Sequence, residues 1–199
     1  MNIFERKINN LKKLRLVTFT VLSCLFLAIL SFFVFLFFQS YQSRQLEISF
    51  FEFSYQTTLY LFLFLILIFA PLIFVINRRF SFLLNQLLSF NEEDRAIYLD
   101  YTKSTTSLFT VIPQYLISRN DLIIIGNFKF YILKENQFDR IVISRYRIGT
   151  GGSRCIARIY SSSKKITDIS YATKYPAEID FLKENISLVN DNIVIEENF

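Results

Sequence analysis

Residues 16–38, LVTFTVLSCLFLAILSFFVFLFF, and residues 57–76, TTLYLFLFLILIFAPLIFVI, contain no charged side chain. A hydrocarbon layer about 30 Å thick is crossed by about 20 residues of α-helix, which satisfies its own backbone polar groups in lipid. Both runs reach that length. They read as a transmembrane hairpin over residues 16–76, with spans 16–38 and 57–76. The competing reading, two core helices of a soluble domain, requires enough protein to bury helices that are apolar on every side, and only residues 77–199 follow.

Charge orients the hairpin. Residues 1–15 carry Arg6, Lys7, Lys12, Lys13 and Arg15 against Glu5, and Arg78 and Arg79 follow the second run. The link between the runs has Arg44 as its one base, beside Glu47 and Glu52. The positive-inside bias therefore places both termini in the cytoplasm and makes this a two-span protein of the cell membrane. The first run is longer than the apolar core of a secretory signal and ends in Phe37, Phe38 and Gln39 rather than small residues, which reads as an uncleaved anchor. Asn2 and the Cys-free C-terminal residues offer no lipidation motif.

The net charge of +5 comes mostly from residues 1–15, where it faces anionic headgroups and gives no reason to expect nucleic acid. Cys24 and Cys155 imply no disulfide framework on this topology. Within the spans, Ser23, Leu27 and Ser31 share a face with Ala28 nearby, and this small-residue face is expected to pack the two spans against each other. Pro71 removes one helix hydrogen bond and predicts a local kink.

Residues 77–95 form a connector in which Phe80, Leu83, Leu84, Leu87 and Leu88 fall at helical spacing, either prolonging the second span or lying on the interface. Residues 96–189 read as short strands separated by turn residues, at 98–102, 107–112, 115–118, 122–125, 128–133, 140–148, 154–160 and 166–171. A short helix introduced by Pro176 follows, with Ile179, Leu182 and Ile186 as its apolar stripe. Residues 190–199 are a tail. The fold class is α+β: a two-helix transmembrane hairpin, then a small antiparallel β domain of pleckstrin-homology-like (PH-like) outline closed by a C-terminal helix. A sandwich with a helix on one face uses the same elements.

The lead-in Thr110-Val-Ile-Pro-Gln-Tyr-Leu-Ile-Ser-Arg-Asn-Asp-Leu-Ile, the segment Phe128-Lys-Phe-Tyr-Ile-Leu and the closing Pro176-Ala-Glu-Ile-Asp-Phe-Leu-Lys-Glu-Asn, behind two spans, resemble the tail of uncharacterised bacterial small membrane proteins with two transmembrane helices and a C-terminal PH-like domain. The resemblance implies a fold and a topology. It brings no catalytic residue with it.

Catalytic chemistry is sparse in the residues themselves. The chain has no His, the commonest general base and metal ligand, and its two Cys are too few for a structural zinc site. Ser144 and the Ser161-Ser-Ser-Lys-Lys turn lack a positioned base, and Gly149-Thr-Gly-Gly lacks the Lys-Ser/Thr ending of a phosphate loop. No enzyme, cofactor or metal is expected. What remains is basic: Arg140, Arg145 and Arg147 on one strand, Arg154 and Arg158 on the next. By period-two alternation, Arg145, Arg147, Arg154 and Arg158 are expected to line one face and hold phosphate or carboxylate oxygens; an ordinary solvated face is the competing reading. The expected function is a membrane-anchored, non-enzymatic binding or scaffolding protein whose cytosolic domain engages an anionic lipid headgroup or an acidic protein. The alternative is an accessory or small oligomeric subunit of a membrane transport complex. The expected partners are the bilayer, such a ligand, or a second copy joined through a sheet edge.

Overall fold

The structure, a computed structural model, describes residues 2–44, 49–104, 112–126, 128–148, 152–171 and 177–198, with the backbone alone at 44, 53, 104, 147, 148, 152 and 153. It divides into two compact units, Met1–Ser81 and Phe82–Phe199.

The first unit is built from α1 (Ile3–Arg44) and most of α2 (Phe50–Ser89). The basic N-terminal segment is thus part of α1. Both helices have the length and hydropathy of membrane spans, and of their most apolar windows none of α1 and 11% of α2 is buried. A core helix of a soluble protein would be mostly covered. The helices meet through aromatic rings: Phe26 stands edge-on to Phe62 and Phe69, with centroids 5.9 and 5.5 Å apart, and Phe38 and Tyr41 both contact Phe50 at 5.5 Å. Arg15, just before the first apolar run, donates to the Oδ1 of Asn77, just after the second. The two runs therefore begin and end at matching levels. Hydroxyls are absorbed within their own helices, with Thr18 donating to the Leu14 carbonyl and Ser54 to that of Phe50 at 2.9 and 2.8 Å. Helix α2 continues through Pro71 as one element.

The small-residue face does not join the spans. Ser23, Leu27, Ala28 and Ser31 are all exposed, because Phe26 fills the helix contact and turns the small residues outward.

The second unit begins with the end of α2, which runs on to Ser89, so residues 77–89 of the expected connector are helical and continuous with the second helix. Next comes α3 (Glu92–Ser104). Residues 98–102 are helical, a correction to the strand expected there. Asn91 accepts the Asp94 N–H at 2.8 Å as an N-cap, three acids fill the first turn, and Ile97, Tyr98 and Tyr101 share one side. The strand expected over residues 107–112 falls almost wholly outside the described residues.

Two sheets follow. Strands β1 (Tyr115–Ile117), β2 (Asp121–Ile125) and β3 (Phe130–Lys134) form an antiparallel meander. Strands β4 (Arg140–Ile148), β5 (Gly152–Ser161) and β6 (Lys164–Tyr171) form a second. Helix α4 (Ala177–Asn185) is the expected terminal helix, but it does not end the fold. Residues expected as a tail form β7 (Val194–Asn198), which returns parallel to β4 and gives the order β6-β5-β4-β7. Asn190 holds this return, donating from its buried amide to the Phe138 and Glu135 carbonyls at 2.7 and 3.0 Å; Val194 N–H then bonds Asp139 O at 3.0 Å.

The core lies between the sheets. Tyr115, Leu122, Ile124 and Leu133 face Ile141, Ile143, Ala157, Ile159 and Ile169, while Tyr101 of α3 stands edge-on to Tyr115 and to Phe181 of α4 at 5.5 and 5.2 Å. No strand pairing joins the two sheets among the described residues, so the β domain is open rather than closed into a barrel.

Candidate functional site

Strand register decides where each arginine points. In β4 and β5, Ile141 pairs with Ile159, Ile143 with Ala157 and Arg145 with Cys155; these partners share the buried side of the sheet. The other parity pairs Arg140 with Tyr160, Val142 with Arg158, Ser144 with Ile156 and Tyr146 with Arg154, on the outward side. Arg145 and the pair Arg154 and Arg158 therefore lie on opposite faces, and the expected single face of four guanidiniums does not form. Arg147 pairs with Ser153 through its backbone, and its side chain lies outside the described residues.

The inward group is a structural one. Cys155 is buried, which pushes its thiol up, while Arg145 draws it the other way. Lys183 of α4 forms an ion pair with Glu197 of β7 at the same end of the sheet. Tyr115 donates its hydroxyl to the Glu178 carbonyl. Burial raises the phenols of Tyr115 and Tyr171 far above their ordinary range.

The outward group is organised differently. Arg158 lies over the Tyr146 ring at 5.0 Å and donates to Ser144 Oγ at 3.3 Å; Arg140 lies over the Tyr160 ring at 4.9 Å and reaches Glu196 at 3.4 Å. Two guanidiniums thus lie over tyrosine rings on the sheet surface, an attraction that strengthens where water is excluded. Arg154 is exposed, and among the described residues no hydrogen bond or ion pair engages it. Asp168 is the register partner of Arg158 on β6, but its carboxylate is taken by Lys165 at 2.5 Å.

Tyr146, Tyr160 and Arg140 belong to this face and were missed as site residues. Their even numbering with Arg154 and Arg158 across the hairpin was the available signal. It was obscured because Ile141, Val142 and Ile143 are apolar on both parities.

A polar depression of about 540 Å³ elsewhere in the domain is bordered by Arg119, Lys134, Glu135 and Asp191. Its charges balance, and Arg119 is already paired with Glu93 at 2.5 Å, so it selects neither anions nor cations. Among the described residues no group of three His, Cys, Asp or Glu side chains is placed to hold a metal.

Comparison with known proteins finds no matching family, no matching curated protein and no matching solved structure. The resemblance to two-span proteins with a PH-like tail rests on the quoted residues alone.

Proposed function

We propose that this chain is a membrane-anchored, non-enzymatic binding module. In this reading the α1–α2 hairpin fixes the protein in the bilayer, with both termini in the cytoplasm, and the β domain engages an acidic segment of a partner protein. The observation that carries the binding role is the outward face of β4 and β5. It holds an exposed Arg154, which no hydrogen bond or ion pair engages among the described residues, together with Arg158 and Arg140, which lie over the Tyr146 and Tyr160 rings.

Arg158 lies over the ring of Tyr146, the register partner of Arg154, so its guanidinium is drawn toward Arg154, and Arg140 over Tyr160 adds a third guanidinium toward the other end of the face. A row of guanidiniums running along the strands suits the successive carboxylates of an extended acidic segment, each engaged through paired oxygens.

Crosslinking the full-length protein in its native membrane tests this. A specific protein crosslink should be made by the wild type and lost in R154E/R158E at equal expression and unchanged melting temperature. Crosslinks that persist in the double variant would remove the face as the site, and capture of phospholipid alone would move the assignment to headgroups.

A further inference from the structure

A second feature of the β domain points to the bilayer itself. Strands β2 and β3 form a hairpin in register from Asp121 with Lys134 to Ile125 with Phe130, and Gly126 N–H bonds the Lys129 carbonyl at 3.1 Å to close the turn that carries Phe128. A Cβ on Gly126 would meet that carbonyl at 2.6 Å, so the tight closure depends on glycine. The turn presents Phe128 to solvent at 70% exposure, the largest of any Phe or Ile among the described residues of the β domain. Behind it, Phe130, Ile132 and Lys134 alternate onto one face of an edge strand, with Ile132 45% exposed and Lys134 exposed. Lys129 is exposed beside Phe128.

An exposed ring with one lysine next to it and a second further along the same edge strand is a liability in water and is stabilised at an anionic interface, where the ring enters the acyl boundary and the ammonium groups meet phosphate. Its position along the chain supplies the second argument. Phe130 stacks on Phe82 of α2, ring centroids 4.2 Å apart and planes within 5°. Phe82 comes six positions after Ile76, the last residue of the second apolar run. Six residues extend no more than about 20 Å in any conformation, so the anchor keeps Phe82, and the hairpin stacked on it, at high local concentration near headgroups.

We propose that the β2–β3 hairpin is a lipid-contact site, inserting Phe128 into an anionic bilayer surface with Lys129 and Lys134 on the phosphates. It rests on the membrane anchoring and is independent of the arginine face. The site makes the β domain a second point of membrane attachment.

The chain has no Trp, so F128W places a single reporter at the tip. The full-length variant is reconstituted into phosphatidylcholine–phosphatidylglycerol vesicles with brominated acyl chains, beside Y146W on the outward face of the other sheet. The F128W indole should be quenched about two-fold more strongly than that of Y146W, and adding K129E/K134E should bring it down to the Y146W level. Water-like, unquenched emission from F128W overturns the proposal. So does blue-shifted but unquenched emission, which would mean that a second copy covers the hairpin, and so does quenching unchanged by the lysine reversals.

Discussion

Arg145 and Cys155 are register partners across β4 and β5, and Cys155 is 2% exposed. That pairing turns Arg145 toward the core side of the sheet, while Arg154 and Arg158 leave from the other side. Basic residues that look like one patch in the sequence therefore do two jobs. Arg145 sits among Cys155, Lys183 and Glu197 at the inner end of the sheet, whereas Arg140 and Arg158 lie over the Tyr160 and Tyr146 rings on the outward side, where Arg154 is exposed.

Charge reversal should separate these roles. Arg145→Glu puts a carboxylate on the half-buried side near Glu197 and is expected to cost about 2 kcal/mol or more. Arg154→Glu, on an exposed residue, is expected to stay within about 0.5 kcal/mol. Denaturant unfolding of the full-length protein in micelles, followed by tyrosine fluorescence, makes the comparison. Equal losses for the two variants would mean the register is wrong.

The buried amide of Asn190 bonds two carbonyls at the start of the β7 return. Asn190→Ala leaves both without that donor, with an expected loss of about 1–3 kcal/mol. The damage should be local first: in hydrogen exchange the β7 amides lose protection ahead of those in β5. Uniform loss across the sheet would show that Asn190 supports the whole domain instead of one strand.

Substituting Gly126→Ala tests the tight hairpin. Because the added Cβ lies 2.6 Å from a backbone oxygen, the turn must open. We expect faster amide exchange across β2 and β3, with the β4–β5–β6 meander unaffected. Unchanged exchange would show that the turn has slack.

Alkaline pH should weaken the fold through its buried phenols. Burial pushes Tyr98 up to about 12, and Tyr115 and Tyr171 beyond the ordinary range, whereas an unfolded tyrosine ionises near pH 10. These groups keep their protons in the fold and lose them on unfolding. Stability is therefore full below about pH 10 and falls as pH rises above it, by about 1.4 kcal/mol per pH unit for each phenol. The Tyr98 contribution levels off near pH 12. Melting temperatures between pH 9 and 11.5 should show this decline, with a shallower slope in Tyr98→Phe; a flat profile would contradict burial of the three rings.

Legibility in the sequence followed the strength of the local signal. Long uncharged runs can be only a few things, so both span-like helices and the prolongation of the second were readable. Alternation and turn residues revealed the six strands from Tyr115 to Tyr171, and Glu178 with the Ile179–Leu182–Ile186 stripe revealed α4. Helix α3 was missed because Tyr98 and Tyr101 suit a strand as well as a helix. Strand β7 was missed because a parallel partner 54 residues away leaves no local trace. The arginine face was misassembled for a related reason: register is a long-range property, and Ile141-Val142-Ile143 conceals which parity is buried.

On the proposed topology, α1 and α2 form a two-span anchor, and the N-terminus and the β domain share one side of the membrane. Single cysteines introduced one at a time by Asn2→Cys, Ser43→Cys and Ser163→Cys, labelled in intact cells with a charged, impermeant maleimide, test it most directly. The native Cys24 lies within a span and Cys155 is buried, so neither should react. The account predicts labelling of S43C in intact cells, and of N2C and S163C only after the membrane is opened. Labelling of S163C together with S43C in intact cells would contradict it.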